Sequence, residues 1–235
     1  MSVTSTQIEL AARPVGDPKH SDFKIVKVDL PEIKEGEMLC RIIYQSLDPY
    51  MRGRMDDAKS YAVPVAIGSV MEAGCVAEVM ESKNARFQAG DIVNGRFGWR
   101  THIISDGAGV RKVNKDIAPI STSIGILGMP GMTAYVGLLD IGEPKEGETV
   151  VVSAASGAVG AVVGQIAKIK GCKVIGVAGS TEKCEYVRDE LGFDECISHY
   201  NEDLAMQLSN VCPNGIDVYF ENVGGKVFEA VLPLL

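Results

Sequence analysis

VVVSAASGAVG at Val150–Gly160 decides how the rest of the chain is read, because an apolar run ends in a turn of small residues and then passes into a helical pattern. Such a strand–turn–helix is the form in which a dinucleotide's pyrophosphate is held. The turn Ala155-Ser156-Gly157-Ala158-Val159-Gly160 has the spacing G-x-G-x-x-G, with alanine in place of the first glycine. Gly157 would let the backbone approach phosphates and Gly160 would let the helix pack closely. The amides at Ala158 and Val159 would open a helix N-terminus with its positive dipole end. Any tight strand-to-helix turn favours the same residues, so the hexapeptide does not choose by itself.

The residues after Gly160 narrow the choice. An amphipathic helix over 158–170 ends at Gly171, and an apolar strand, Lys173–Ala178, comes directly after, which makes a βαβ unit. An NAD-binding unit would place Asp or Glu roughly 20 residues after the glycines, on the ribose hydroxyls. Here that position is Ser180, with Lys183 close behind. A hydroxyl and a cation suit a 2′-phosphate, which favours NADP(H) over NAD(H). Against this, Ser180 or Thr181 can simply cap the next helix and Lys183 can be a solvated lysine, while Glu182 directed at the ribose would reverse the preference.

Alternation continues downstream. The pattern predicts strands Thr149–Ala154, Lys173–Ala178, Glu195–Ser198 and Ile216–Glu221, with helices over 158–170, 181–191, 201–211 and 225–232. This is an α/β arrangement with a parallel, doubly wound sheet. Upstream the texture differs. Short β-rich runs at Gln7–Leu10, Phe23–Leu30, Met38–Gln45, Gly74–Met80 and Asp91–Val93 are separated by Pro, Gly, Asp and Asn clusters, which predicts an antiparallel barrel or sandwich. Between the halves, Ser121–Leu139 carries a helical apolar pattern that Met129-Pro130-Gly131 is expected to interrupt. The expected organisation is therefore 1–120, a helical connection over 121–143, and 144–235.

Composition limits the partners. The 235 residues are 46% hydrophobic with net charge −8, enough for a large core and unsuited to nucleic acid or an anionic membrane as the main partner. No run reaches ~18 apolar residues and no basic-then-apolar leader opens the chain, so neither a membrane span nor a signal peptide is expected and a cytoplasmic location is. The six cysteines lie at least twelve residues apart, with no C-x-x-C, and the three histidines form no H-E-x-x-H. Reduced thiols and no metal site are expected.

Several longer motifs carry a resemblance. GILGMPGMTAYVGLLDIG at Gly125–Gly142, PKEGETVVVSAASGAVG at Pro144–Gly160 and ENVGG at Glu221–Gly225 resemble the zinc-independent medium-chain dehydrogenase/reductase superfamily. SLDPYMRGRM at Ser46–Met55 is similar to the branch holding leukotriene B4 dehydrogenases, prostaglandin reductases and plant double-bond reductases. The resemblance implies a GroES-like β-rich catalytic domain joined to a Rossmann domain. It also implies NADPH-dependent reduction of the C=C bond of α,β-unsaturated ketones and aldehydes. In that reaction hydride reaches the β-carbon, charge builds on the carbonyl oxygen, and the α-carbon is protonated. Zinc-dependent members carry a cysteine where this chain has Asp48-Pro49-Tyr50; without a Lewis acid, hydrogen-bond donors must hold the oxygen.

The same resemblance assigns residues. Tyr50 is implied as a donor or substrate wall, with a core aromatic as its plain alternative. Arg52 would hold a substrate carbonyl or a cofactor phosphate, or else make a structural ion pair. Tyr61 falls where relatives place a substrate-contacting tyrosine. Met129 and Thr133 match positions lining the nicotinamide, and Asn222 matches the cofactor-contacting asparagine of the NVGG motif. A tyrosine after the third strand falls at Tyr200 or, one residue earlier, His199, and the choice stays open.

Four parallel strands are expected where the full Rossmann sheet has six, so this half is expected to be incomplete, with a long, flat apolar strand edge and a homodimer as its remedy. Three functions remain open: an enone reductase acting on a small-molecule substrate, a non-catalytic NADPH-binding or assembly module, and a quinone oxidoreductase.

Overall fold

The computed structural model describes residues 3–235, and the chain divides into two compact units at Ile124/Gly125. In the first unit β1 (Val3–Leu10) pairs antiparallel with β2 (Phe23–Leu30). A second, five-stranded antiparallel sheet contains β3 (Met38–Gln45), β4 (Gly74–Ser82), β5 (Ile92–Arg96), β6 (His102–Ser105) and β7 (Arg111–Lys112), in the order β6-β3-β4-β5-β7. Isolated bridges from Gln7 to Arg100 and from Glu9 to Val70 tie β1 to it.

The one α-helix among the described residues of this unit, α1 (Tyr50–Arg54), is a single turn entered through Pro49. Its Met51, together with Met55 just beyond it, reaches the core with Leu10, Met38, Met71 and Val93. That i, i+4 spacing puts both methionines on one helical face, and burying such side chains contributes roughly 1.5–3 kcal/mol each. Several expected bounds need correction here: β1 begins at Val3 and not Gln7, β4 runs on to Ser82 past Met80, and β5 covers Ile92–Arg96 where Asp91–Val93 was expected; β6 and β7 were not anticipated. They are too short and too mixed in polarity to show a period of two.

The second unit opens with α2 (Met129–Val136) and a π-helical turn, Gly137–Gly142. Met129-Pro130-Gly131 begins the helix where an interruption was expected, because proline at a first-turn position loses no intrahelical hydrogen bond and its φ suits the helix. Next come four strands: β8 (Thr149–Ser153), β9 (Lys173–Ala178), β10 (Glu195–Ser198) and β11 (Val218–Phe220). They pair parallel in the order β10-β9-β8-β11. Among them run α3 (Gly160–Ile169), α4 (Thr181–Glu185, continued by a π-helical turn to Glu190), α5 (Leu204–Val211) and α6 (Gly225–Val231).

Successive strand residues face opposite ways, and both faces are covered. Val150, Val152 and Val174 pack with Ala134, Leu138, Val163 and Ala167, while Val151, Ile175 and Val177 pack with Leu204, Leu208, Val227 and Val231. The unit is thus a parallel α/β sheet wound on two sides, as expected. The expected long apolar edge is not observed: β11 is three half-buried residues, Val218–Phe220, where a strand over Ile216–Glu221 was expected.

Candidate functional site

The chain order reverses direction at β8, so the carboxyl ends of β8 and β11 flank the point at which open α/β sheets bind ligands. Leaving β8, the backbone enters the left-handed region at Ala154, φ 47°, then makes a tight turn closed by the Gly157 N–H donating to the Ala154 carbonyl at 2.8 Å. Gly160 starts α3 against that turn. A Cβ there would stand 2.4 Å from the Ala154 carbonyl oxygen and 3.0 Å from Ala155 Cα, both backbone atoms. At Gly157 the nearest atom would be 3.1 Å away. Protein-side crowding therefore falls on Gly160, and Gly157 is open on its outer side.

Among the described residues, the N–H groups of Ser156, Ala158 and Val159 find no protein acceptor. Helix N-termini leave such donors free, and the dipole adds positive potential. The helix itself starts at Gly160, two residues later than expected from the sequence, which leaves Ala158 and Val159 in the turn with their amides uncommitted. This donor set fits a pyrophosphate.

Next to it the ends of β8 and β11 are tied by a network the sequence did not reveal. Ser153, fully buried, donates its hydroxyl to the Glu221 carboxylate at 2.8 Å and accepts the Asn222 N–H at 2.6 Å. Asn222 Nδ2 donates to the Ser153 carbonyl at 2.9 Å. The Glu221 carboxylate also accepts the Gly224 N–H at 2.9 Å, the Val223 N–H and the Tyr219 hydroxyl. Burial by itself would raise the Glu221 pKa, but these donors outweigh it and hold the carboxyl below its ordinary value. Burial, then the bond to Glu221, pushes the Tyr219 phenol up. Asn222 is thereby pinned through its amide nitrogen, with its side chain on an exposed residue.

Ser180 caps α4 by accepting the Lys183 N–H at 3.3 Å, and its hydroxyl lowers the Glu182 pKa. The capping role open to Ser180 is therefore present. Lys183 is exposed and makes no ion pair among the described residues. Over Gly179 stand both candidates for the aromatic position, His199 and Tyr200, with ring centroids 4.4 Å apart. A Cβ at Gly179 would meet each of them at 3.6 Å. They also border an open cleft of about 660 Å³ with Asn201, Lys226 and Glu229. Met129 and Thr133 are exposed on α2, where the Thr133 hydroxyl donates back to the Met129 carbonyl at 2.8 Å. Such back-bonding is the ordinary fate of a mid-helix threonine.

In the first unit α1 separates two arginines. Arg52 pairs with Asp56 at 2.6 Å and donates to the Gly16 carbonyl at 3.0 Å. The structural ion pair left open for Arg52 is therefore present. Arg54, two residues on, is 5% exposed. It lies 2.7 Å from a Glu72 carboxylate oxygen, with its centre 5.7 Å from the Tyr50 ring and 4.5 Å from the Tyr61 ring. Although Nε makes that short ionic contact, its N–H is not aimed along it, and no directed hydrogen bond satisfies it among the described residues. Tyr50 is half-buried with its phenol pKa raised, by burial first and then by Asp48 and Glu72. Tyr61 is 85% exposed. A signal for Arg54 was available in the sequence, since Tyr50 and Arg54 are four apart and share a helical face.

An antiparallel β unit together with a parallel α/β unit bearing an anion-ready turn at its switch point defines the class of two-part dinucleotide-binding folds. Residues 6–113 match the family described as the N-terminal domain of oxidoreductase, and 158–235 the family described as zinc-binding dehydrogenase. The chain is 55% identical over 226 residues to an NADPH-dependent curcumin reductase from Escherichia coli, covering 96% of this chain and 66% of the relative. It is 46% identical to a 2-alkenal reductase (NADP(+)-dependent) of Nicotiana tabacum, covering 98% and 69%. The crystal structure of CurA in complex with NADPH from Vibrio vulnificus superposes with a TM-score of 0.93 at 57% identity, covering 98% of this chain and 68% of that one. The chain belongs to the medium-chain dehydrogenase/reductase family, and it spans about two thirds of the length of these relatives. Among the described residues no group of three or more His, Cys, Asp or Glu side chains is placed to hold a metal ion, so the residues do not fit the zinc in the second family description. All six cysteines are free. Among the described residues no helix is long and apolar enough to cross a membrane.

Proposed function

We propose that this chain is the cofactor-binding and substrate-binding portion of a zinc-independent NADPH-dependent reductase of α,β-unsaturated ketones and aldehydes. The observation that carries the reading is the set of uncommitted amides at Ser156, Ala158 and Val159 ahead of α3, beside the pinned Asn222. The relatives' names, curcumin reductase and 2-alkenal reductase, support the substrate class.

In this reading NADPH supplies the hydride. The 156–160 turn binds the pyrophosphate through backbone donors. Ser180 and Lys183 take the 2′-phosphate, with Lys183 contributing the charge and Ser180 keeping the helix start in place. Tyr200 or His199 covers the adenosine end, while Met129, Thr133 and Asn222 border the nicotinamide. Residues 1–120 carry the substrate side, where Tyr50 and Tyr61 bound the conjugated carbonyl and the neutral phenol of Tyr50 can donate to a developing oxyanion. Residues 121–143 connect this half to the cofactor half, 144–235. A cytoplasmic homodimer belongs to the same reading.

The test is a fluorescence titration of the 235-residue chain with NADPH and with NADH, and then addition of an enone. Binding of NADPH at least about tenfold tighter than NADH, with oxidation of NADPH once the enone is present, is the expected result. Equal affinity would remove the 2′-phosphate assignment, and binding without oxidation would leave a cofactor module.

A further inference from the structure

We propose that Arg54 is a positioning residue that holds the tip of the 56–66 loop, and with it Tyr61, against the Tyr50 end of α1; the proposal rests on the substrate role given to these tyrosines under the proposed function. The loop has no helix or strand of its own, and its two parts are held differently. Its base is tied by backbone: the Val65 N–H donates to the Arg54 carbonyl at 2.8 Å. Arg13 bridges the same base, donating to the Met55 and Val65 carbonyls at 2.8 and 2.7 Å. The tip has another support. Among the described residues, the one side-chain hydrogen bond to it comes from Arg54, which donates to the Ala62 carbonyl at 3.3 Å and lies 4.5 Å from the centre of the Tyr61 ring.

A guanidinium that is almost wholly buried needs a reason to be there, since removing an arginine from water is costly unless its charge is matched. Glu72, from the segment entering β4, supplies the match at 2.7 Å. That pairing leaves the guanidinium within cation–π range of both rings, its centre 5.7 Å from Tyr50 and 4.5 Å from Tyr61, a combination that suits arginine because it joins a fork of donors to a delocalised charge. Tyr61 is largely exposed, so little else restrains its ring. The geometry thus sets the separation of the two phenols through one cation. This distinguishes Arg54 from Arg52, whose contacts with Asp56 and Gly16 involve no part of the 57–66 stretch.

The experiment uses two variants of the full chain, Arg54→Lys, which keeps the charge, and Arg54→Met with Glu72→Gln, which removes both charges so that no buried ion is left unpaired. Tryptic cleavage after Lys59, an exposed residue of the tip, is read beside amide hydrogen exchange of Val65 and of β3 and β4. Expected is cleavage faster by about tenfold in both variants, with Val65 and the strands unchanged. On the same samples NADPH affinity stays within about twofold, while KM for an enone rises about fivefold with kcat little changed, the pattern of lost substrate positioning. Unchanged cleavage after Lys59 overturns the proposal. So does faster exchange throughout β3 and β4, which would make Arg54 a general stability residue. Absence of NADPH binding or of enone reduction in the parent chain counts against the proposed function, while the cleavage rate still decides whether Arg54 holds the tip.

Discussion

The turn after β8 and the helix α1 both gather polar groups at a chain reversal, yet they are made of different material. Around Ser156–Gly160 the functional groups are backbone amides, and the side chains are small so that the backbone can come close: Gly160 sits where a Cβ would stand 2.4 Å from the Ala154 carbonyl oxygen. Around Tyr50–Arg54 the functional groups are long side chains whose partners come from Glu72, Ala62, Gly16 and Asp56. A site made of backbone is broken by adding atoms. One made of side chains is broken by removing them, and its cost depends on what each lost partner leaves unpaired.

The largest effect should come from adding a side chain to the first region. Gly160→Val puts carbon atoms into backbone that cannot give way, and stability should fall by about 2–3 kcal/mol in urea denaturation; an unchanged midpoint would break the claim that this turn is packed on its own backbone. Lys183→Glu sharpens the comparison by testing the one part of the cofactor region that depends on a side-chain charge. NADPH affinity should drop at least about tenfold and NADH affinity less than about threefold, measured by titration. Equal losses would return Lys183 to the solvated surface.

Glu221→Gln should cost about 1 kcal/mol at neutral pH, because a charged acceptor of several bonds becomes a neutral one. The sign with pH comes from the lowered pKa of Glu221. Its contribution is complete above the unfolded carboxyl value, about 4.3, and disappears as pH falls through the lower folded value. The gap between parent and variant should therefore close on acidification in thermal melts across that range, and a gap independent of pH would show that the bonds do not need the charge. The smallest effect belongs to Arg52→Ala, about 0.5 kcal/mol for a half-exposed ion pair, with NADPH affinity and enone KM unchanged. A raised KM there would blur the distinction drawn between Arg52 and Arg54.

How much of each region was legible in the sequence differs for the same reason. The alternation of β8, β9, β10 and β11 with α3, α4, α5 and α6 shows in apolar periodicity because each strand is covered on both faces. The small residues at Ala155–Gly160 mark the turn because only small residues fit. β6 and β7 carried no such pattern, and Met129-Pro130-Gly131 gave an ambiguous one, since proline both starts and interrupts helices. Glu221 lay inside the ENVGG motif without a role, because its donors come from Ser153 and Tyr219 as well as from its own turn.

From its residues alone, the chain determined where its parallel α/β unit lies, where the small-residue turn between β8 and α3 falls, and that its first half is antiparallel β. These are local properties, set by side-chain size and by periods of two and 3.6 residues along the chain. Which of two neighbouring arginines is buried against two tyrosines, and which carboxylate holds the Asn222 turn, was decided only by the tertiary structure. Those choices depend on partners 18 residues away for Arg54 and 68 for Glu221, and the energy of a buried charge is settled by the neighbours that folding brings to it.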